Sequence, residues 1–217
     1  MNKLRIDFVS DIVCPWCVIG LKSLEQALER VGDVAEAELH IHPFELNPQM
    51  APEGEDIVEH LARKYGASEE QGAKTRAMIR DRGAELGFRF DVENRGRIYN
   101  TFDAHRLLHW AELQGRELDL QMALFATYFT HCENPSSHEV LARVAGEVGL
   151  DAAEAADILA GGAYAEEVRE REEFFQRQGI SAVPAIIINQ RHLISGGQTP
   201  EVFERALRQI ASSETAA

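Results

Sequence analysis

Asp11-Ile12-Val13-Cys14-Pro15-Trp16-Cys17-Val18-Ile19-Gly20 is the stretch on which the fold turns. Ahead of it, Leu4 to Val9 alternates apolar and polar residues, the pattern of a strand. Behind it, Ile19, Leu24, Ala27, Leu28 and Val31 recur at helical spacing until Gly32-Asp33. The two cysteines therefore stand where a strand becomes a helix. Pro15 takes the first helical position, where its missing N–H costs nothing. Cys14 is expected at the cap, facing free backbone N–H groups and the positive end of the helix dipole. Both favour a thiolate and make Cys14 the nucleophile. Cys17, one turn further in, is expected to be more shielded and to act as the resolving thiol, so that exchange runs through a mixed disulfide.

Working outward, Leu39, Ile41 and the segment around Phe44 read as a second strand, ended by Pro43 and Pro48. Between about Glu55 and Gln178 no convincing strand is seen. Helices are predicted at Ile57–Tyr65, Glu69–Leu86, Thr101–Leu113, Leu118–Phe129, Glu139–Val148 and Tyr164–Gln176. Strand character returns in Ala185-Ile186-Ile187-Ile188, with a tight turn at Asn189-Gln190 and a partner strand at His192–Ile194. Thr199-Pro200 opens a last helix with Val202, Phe203, Ala206, Leu207 and Ile210 on one face. The order βαβ, helices, αββα predicts one discontinuous α/β domain interrupted by helices, because neither strand group could build a stable sheet alone.

The chain of 217 residues carries 22 Lys and Arg against 36 Asp and Glu, a formal charge of −14. Such a surface repels phosphate backbones and anionic membranes, so neither nucleic acid nor membrane is an expected partner. The densest basic run, Arg89 to Arg97, is interrupted by Asp91 and Glu93. Arg5 and Asp7 break any signal-like apolar run, and with Met1 as the natural start the expected location is the cytoplasm. Three cysteines are too few for a disulfide framework. A zinc site would need two more ligands, and Cys132 stands alone, so no metal is expected.

Several blocks together resemble the DsbA superfamily, within it the FrnE-like branch. They are Asp11-x-x-Cys-Pro-Trp-Cys with Ile19-Gly20, His42-Pro43-Phe44-Glu45-Leu46-Asn47-Pro48, and Asn100-Thr101 with Ala104-His105-Arg106-Leu107. Val183-Pro184 before a strand and Ser195-Gly196-Gly197-Gln198 before the last helix complete the set. The resemblance implies a thioredoxin fold with a large all-helical insertion. The DsbA-like domain would span 4–208, its thioredoxin core 1–50 and 178–211 and its insertion about 52–177, followed by a disordered tail at 212–217. It also implies a cis Pro184, which would set the Val183 backbone beside the dithiol, ready to pair with an extended substrate. Ala185 departs from the larger or polar residue common in the branch.

Cys14, Cys17 and Pro184 are thus the expected catalytic residues, with Pro15, Trp16 and Val183 meeting substrate. Asp11 either relays a proton to Cys17 or only shapes the turn. Trp16 is read as part of the exposed face, or else as cover for the disulfide. Asn100 and Thr101 read as a helix cap; the resemblance adds that they face the active-site groove, and Gln198 stands in its last block. His105 is expected at the interface of insertion and core; with His109 it has metal spacing but no third ligand. His40 and His42 share a strand face and read as structural, and Cys132 as an ordinary thiol.

Two functions compete: a dithiol–disulfide oxidoreductase acting on proteins or small molecules, and a glutathione-dependent isomerase or transferase of the 2-hydroxychromene-2-carboxylate isomerase or kappa type. The second resembles a pattern with serine in place of the cysteines. A binding or chaperone module using the groove near Trp16 is a third reading. No tightly bound cofactor is expected, glutathione is a candidate redox partner, and the sequence permits a homodimer without requiring one.

Overall fold

A computed structural model describes residues 2–51, 53–66 and 68–214. Strand β1 (Asn2–Ser10) leads through a short turn into helix α1 (Pro15–Arg30) and strand β2 (Ala35–Pro43). An insertion follows: β3 (Glu55–Asp56), α2 (Ile57–Tyr65), α3 (Glu69–Glu85), β4 (Arg97–Ile98), α4 (Phe102–Leu113), α5 (Glu117–Phe129), α6 (His138–Glu147), α7 (Ala152–Ala160) and α8 (Ala165–Arg177). The chain closes with β5 (Ala185–Ile188), β6 (His192–Ser195) and α9 (Pro200–Glu214).

The main sheet has the order β2-β1-β5-β6. β1 runs parallel to β2, from Asn2 opposite Ala35 to Ser10 opposite Pro43, and antiparallel to β5, with Ile6 opposite Ile188 and Val9 opposite Ala185. Asn189 and Gln190 both take left-handed φ, 51° and 57°, the geometry of a two-residue hairpin turn. β1 is central, so both its edges are paired, and both its faces are covered. Leu4, Ile6 and Phe8 pack with Leu21 and Leu24 of α1 and Phe203 and Leu207 of α9. On the other face Val9 and Ala185 meet Phe44, Phe175 of α8 and Ile180. This is the thioredoxin arrangement, and the cluster of buried side chains continues from it into Trp110, Phe125, Tyr128 and Phe129 of the insertion.

Three details correct the expectations. α7 was not predicted: Asp151 caps it by accepting from Ala153 N at 2.8 Å and Glu154 N at 3.1 Å, and it buries Ala155, Ile158 and Leu159. The insertion also holds a strand pair, β3 with β4, of two residues each. Finally, α9 continues to Glu214, through residues expected to be a disordered tail. Its last turns are anchored because Ile210 and Ala211 are buried, while Ser212 Oγ and Ser213 Oγ donate back to the carbonyls of Arg208 and Ile210. Residues 215–217 of that expected tail lie outside the described residues.

Candidate active site

The turn from β1 into α1 places the dithiol. Cys14 is the N-cap residue, with Pro15 opening the helix, and Cys17 N donates to Cys14 O at 3.0 Å. The thiol of Cys14 does not cap the helix, contrary to the expected orientation: its Sγ donates to the Val183 carbonyl, 3.7 Å away. Cys14 is 4% exposed and Cys17 fully buried, and the two are not joined by a disulfide. Burial, and after it the neighbouring Cys14, pushes the Cys17 thiol well above its ordinary pKa, so in the reduced protein Cys17 holds its proton.

Opposite the thiols the Val183–Pro184 peptide bond is cis. Val183 is half-buried and Pro184 buried. Two glycines let this loop approach α1. A Cβ on Gly20 would stand 3.0 Å from Pro184 Cγ, and one on Gly197 would stand 2.8 Å from the Trp16 carbonyl oxygen. Gly196 N donates to Pro184 O at 2.8 Å, and Gln198 Nε2 donates to Ser195 O at 2.8 Å. The last block of the sequence therefore clamps the proline loop, and Gln198 supports its turn. Trp16 is half-buried rather than exposed: it packs on the core, with the Arg82 guanidinium 5.8 Å from its ring centroid.

Asp11 is fully buried beneath the dithiol. Its carboxylate accepts from Leu46 N at 2.7 Å and, weakly, from Val13 N at 3.4 Å, which fixes the turn. Its Oδ1 also faces His105 Nε2 of α4 at 3.6 Å, too long for a hydrogen bond but close enough for an electrostatic contact. Burial opposes a charge on His105, yet Asp11, Glu172 and Glu45 together outweigh it and raise the imidazole pKa. Thr101 is the N-cap residue of α4 but makes no side-chain cap bond; Asn100 before it serves instead, its Oδ1 accepting from Phe102 N at 2.9 Å while its Nδ2 donates to Glu45 Oε1 at 3.3 Å.

Glu45, Arg169 and Glu172 had no role in the sequence reading. Arg169 of α8 pairs with the buried carboxylate of Glu45 and, at 2.7 Å, with Glu172, and its guanidinium stacks 3.8 Å from the Phe102 ring centroid. Burial, then the charge of Glu45, raises the pKa of Glu172. The signal available was the i, i+3 pair Arg169/Glu172, lost in the charged run from Glu166 to Glu173 that reads as a solvated face.

Away from the dithiol, His40 and His42 share one face of β2, their rings 6.5 Å apart. His42 Nε2 lies 2.8 Å from Asp7 Oδ1, whose carboxylate also takes Arg5 Nη2 at 2.7 Å. Burial works against the Asp7 charge, but these two partners hold its pKa down at about 2. Cys132 is half-buried at φ 58°, its Sγ donating to Asp91 O at 3.6 Å. Among the described residues no group of three or more His, Cys, Asp and Glu could hold a metal ion.

A four-stranded sheet with a Cys-x-x-Cys opening its first helix, a proline loop across from it and helices inserted between the halves defines a DsbA-like thioredoxin protein. The chain belongs to the DSBA-like thioredoxin domain family, which matches residues 5–208. A probable DsbA oxidoreductase, SCO1869 of Streptomyces coelicolor, is 34% identical and superposes with a TM-score of 0.87 over 97% of this chain and 91% of that one. The cytosolic disulfide reductase DsbM of Pseudomonas aeruginosa, solved with GSH, is 17% identical, with a TM-score of 0.64 over 94% of this chain and 98% of that one. A 2-hydroxychromene-2-carboxylate isomerase is 13% identical, with a TM-score of 0.69 over 98% of each chain. The last two likenesses speak for the fold alone.

Proposed function

We propose that this protein is a dithiol–disulfide oxidoreductase in which Cys14 is the nucleophile and Cys17 the resolving thiol. The observation that carries the reading is the pairing of Cys14 Sγ with the Val183 carbonyl while Cys17 lies fully buried one turn behind. Cys14 attacks a substrate disulfide and forms a mixed disulfide. Cys17 then attacks Cys14 Sγ, the intermolecular bond breaks, and the substrate leaves as a thiol. Two electrons pass from the dithiol to the substrate. Val183 offers backbone groups to an extended substrate beside Pro184, and Pro15 and Trp16, both half-buried, form the neighbouring wall. Asp11, held against Leu46 N and felt electrostatically by the buried Cys17 thiol, is the proposed base that takes its proton.

Glutathione is the proposed small redox partner, a reading supported by the GSH of the DsbM structure. A cytoplasmic setting is proposed because DsbM is a cytosolic disulfide reductase. No helix among the described residues is long and apolar enough to cross a membrane. The charge of −14 argues against nucleic acid.

Equilibration in glutathione buffers, with alkylation and mass counting of free thiols, tests the reading. Cys14 and Cys17 should interconvert as a linked pair, and Cys17→Ser should accumulate a Cys14–glutathione adduct. A midpoint near roughly −270 mV would make the protein a reductase and one near roughly −120 mV an oxidant. A pair that stays reduced throughout while glutathione binds without a disulfide would overturn the reading in favour of isomerase or transferase chemistry.

A further inference from the structure

Beyond Asp11 the buried polar groups continue in one direction. His105, which faces Asp11, also lines a small, partly open cavity of about 10 Å³, room for about one water. The same cavity is lined by His42, His109, Glu117 and Arg171, with Ile41, Leu108 and Val168 as apolar walls. Two nitrogens of these lining histidines, His42 Nδ1 and His109 Nδ1, are buried without a hydrogen-bond partner in the protein, and His105 Nε2, also without one, is the nitrogen that faces Asp11. Orphaned nitrogens are costly to bury, and a bridging water is what would satisfy them. His42, His109 and Arg171 in turn line an open cleft of about 880 Å³ that also takes in Arg5, Asp7 and Leu193. Solvent thus reaches the far side of the cavity wall, while Cys17 and Asp11 are sealed from it.

Resting on the oxidoreductase reading above, we infer that His105 is a positioning residue that carries the Cys17 proton from Asp11 through the one-water cavity to His42 and His109, and so to the cleft. When Cys17 resolves the mixed disulfide, its S–H bond breaks and the Cys14–Cys17 bond forms. The substrate sulfur departs with the electron pair of the broken S–S bond and is protonated by water. The proton from Cys17 passes to the Asp11 carboxylate, then to His105, then to the cavity water, leaving Asp11 ionised for the next turnover. The charged groups facing His105 suit this role: Asp11 from the turn before α1, Glu45 after β2, and Glu172 of α8. Arg169 is held by the two glutamates, and Glu117 and Arg171 lie on the cavity side.

Reduced protein mixed with oxidised glutathione and quenched in acid gives, by mass, the lifetime of the Cys14–glutathione adduct. His105→Gln keeps the side chain's bulk and polarity but cannot titrate. Its adduct should live about 100-fold longer near pH 6, the lower end of general-base contributions. The gap should close as pH rises and hydroxide takes the proton, and the wild-type slowing in D2O should shrink. Val168→Ile, which fills the cavity and changes no titratable group, should lengthen the lifetime less, with the same pH dependence, and it decides the matter should His105→Gln fail to fold. Wild-type lifetimes and pH profiles in the variants would overturn the relay and leave His105 a packing residue. If Cys17→Ser forms no adduct at all, it is the oxidoreductase reading that fails.

Discussion

Glu117 opens α5 with its carboxylate turned against β2, where Oε2 accepts from Ile41 N at 3.1 Å. Burial is the dominant influence on it. The Ile41 bond pulls the other way, but the pKa rises from 4.5 to about 8. The sign of its linkage to stability follows. Between 4.5 and about 8 the native state keeps a proton that the unfolded chain has released, so stability falls as pH rises through that window and is flat above it. Each pH unit is worth up to about 1.4 kcal/mol, which sets a ceiling near 5 kcal/mol for the whole window. Glu117 is only partly buried, and solvent screening reduces the expected effect to about 2–3 kcal/mol. Glu117→Gln retains an acceptor for Ile41 N and does not titrate. Urea unfolding at pH 5, 7 and 8.5 should therefore show the variant gaining on the wild type as pH rises, by about 2–3 kcal/mol at the top, with unchanged slope against urea. Parallel stability profiles for the two proteins would refute the assignment of a buried, protonated Glu117.

Gly197→Ala sets a Cβ 2.8 Å from the Trp16 carbonyl oxygen and 3.3 Å from Gly20 N, backbone atoms that cannot swing aside. It should cost about 1–3 kcal/mol, lower the Tm by roughly 2–4 °C per kcal/mol, and slow disulfide exchange by displacing the proline loop; an unchanged Tm would show that the loop has slack. Asp7, whose native pKa of about 2 lies below its ordinary 3.8, contributes stability that is present above 3.8 and lost as pH falls through about 2. Asp7→Asn should remove about 2 kcal/mol at pH 5 and flatten acid unfolding between pH 4 and 2, as read by circular dichroism; equal acid slopes would count against it.

The strands of the main sheet, α1 and the dithiol were legible in sequence because each is a local pattern. β1 alternates, α1 repeats at helical spacing, and Pro15 marks the helix start directly after Cys14. α7 escaped because its three buried residues, Ala155, Ile158 and Leu159, make a stripe of one turn inside an alanine-rich segment. The β3–β4 pair is two residues long, below the length at which alternation can be read. The orientation of Cys14 was misjudged for another reason. Helix-cap logic sees only α1, whereas the thiol answers to Val183, brought from 169 residues away. The ionic cluster is equally non-local, since Glu45 and Arg169 are separated by 124 residues. Periodicity cannot report a contact across that distance.

The character of that cluster bears on what the insertion is for. Were the helices only a cover for the thioredoxin core, the cheapest interface behind the dithiol would be apolar, and a buried ion pair can often be replaced by well-packed hydrophobic residues without loss of stability. Instead the core supplies Asp11 and Glu45, and the insertion supplies His105 from α4 and Arg169 and Glu172 from α8. Stability alone does not explain four buried titratable groups, Asp11, Glu45, His105 and Glu172, where the core meets the insertion. Two consequences of the arrangement do. The carboxylates fix α4 and α8 at one angle to the turn that carries Cys14, and they keep a titratable imidazole within reach of Asp11 when Cys17 must ionise. On this account the active site is shared between core and insertion. A substitution in α4 or α8 that leaves the fold intact should then change the resolving step at Cys17 more than the first attack by Cys14, a division that adduct lifetimes measure directly.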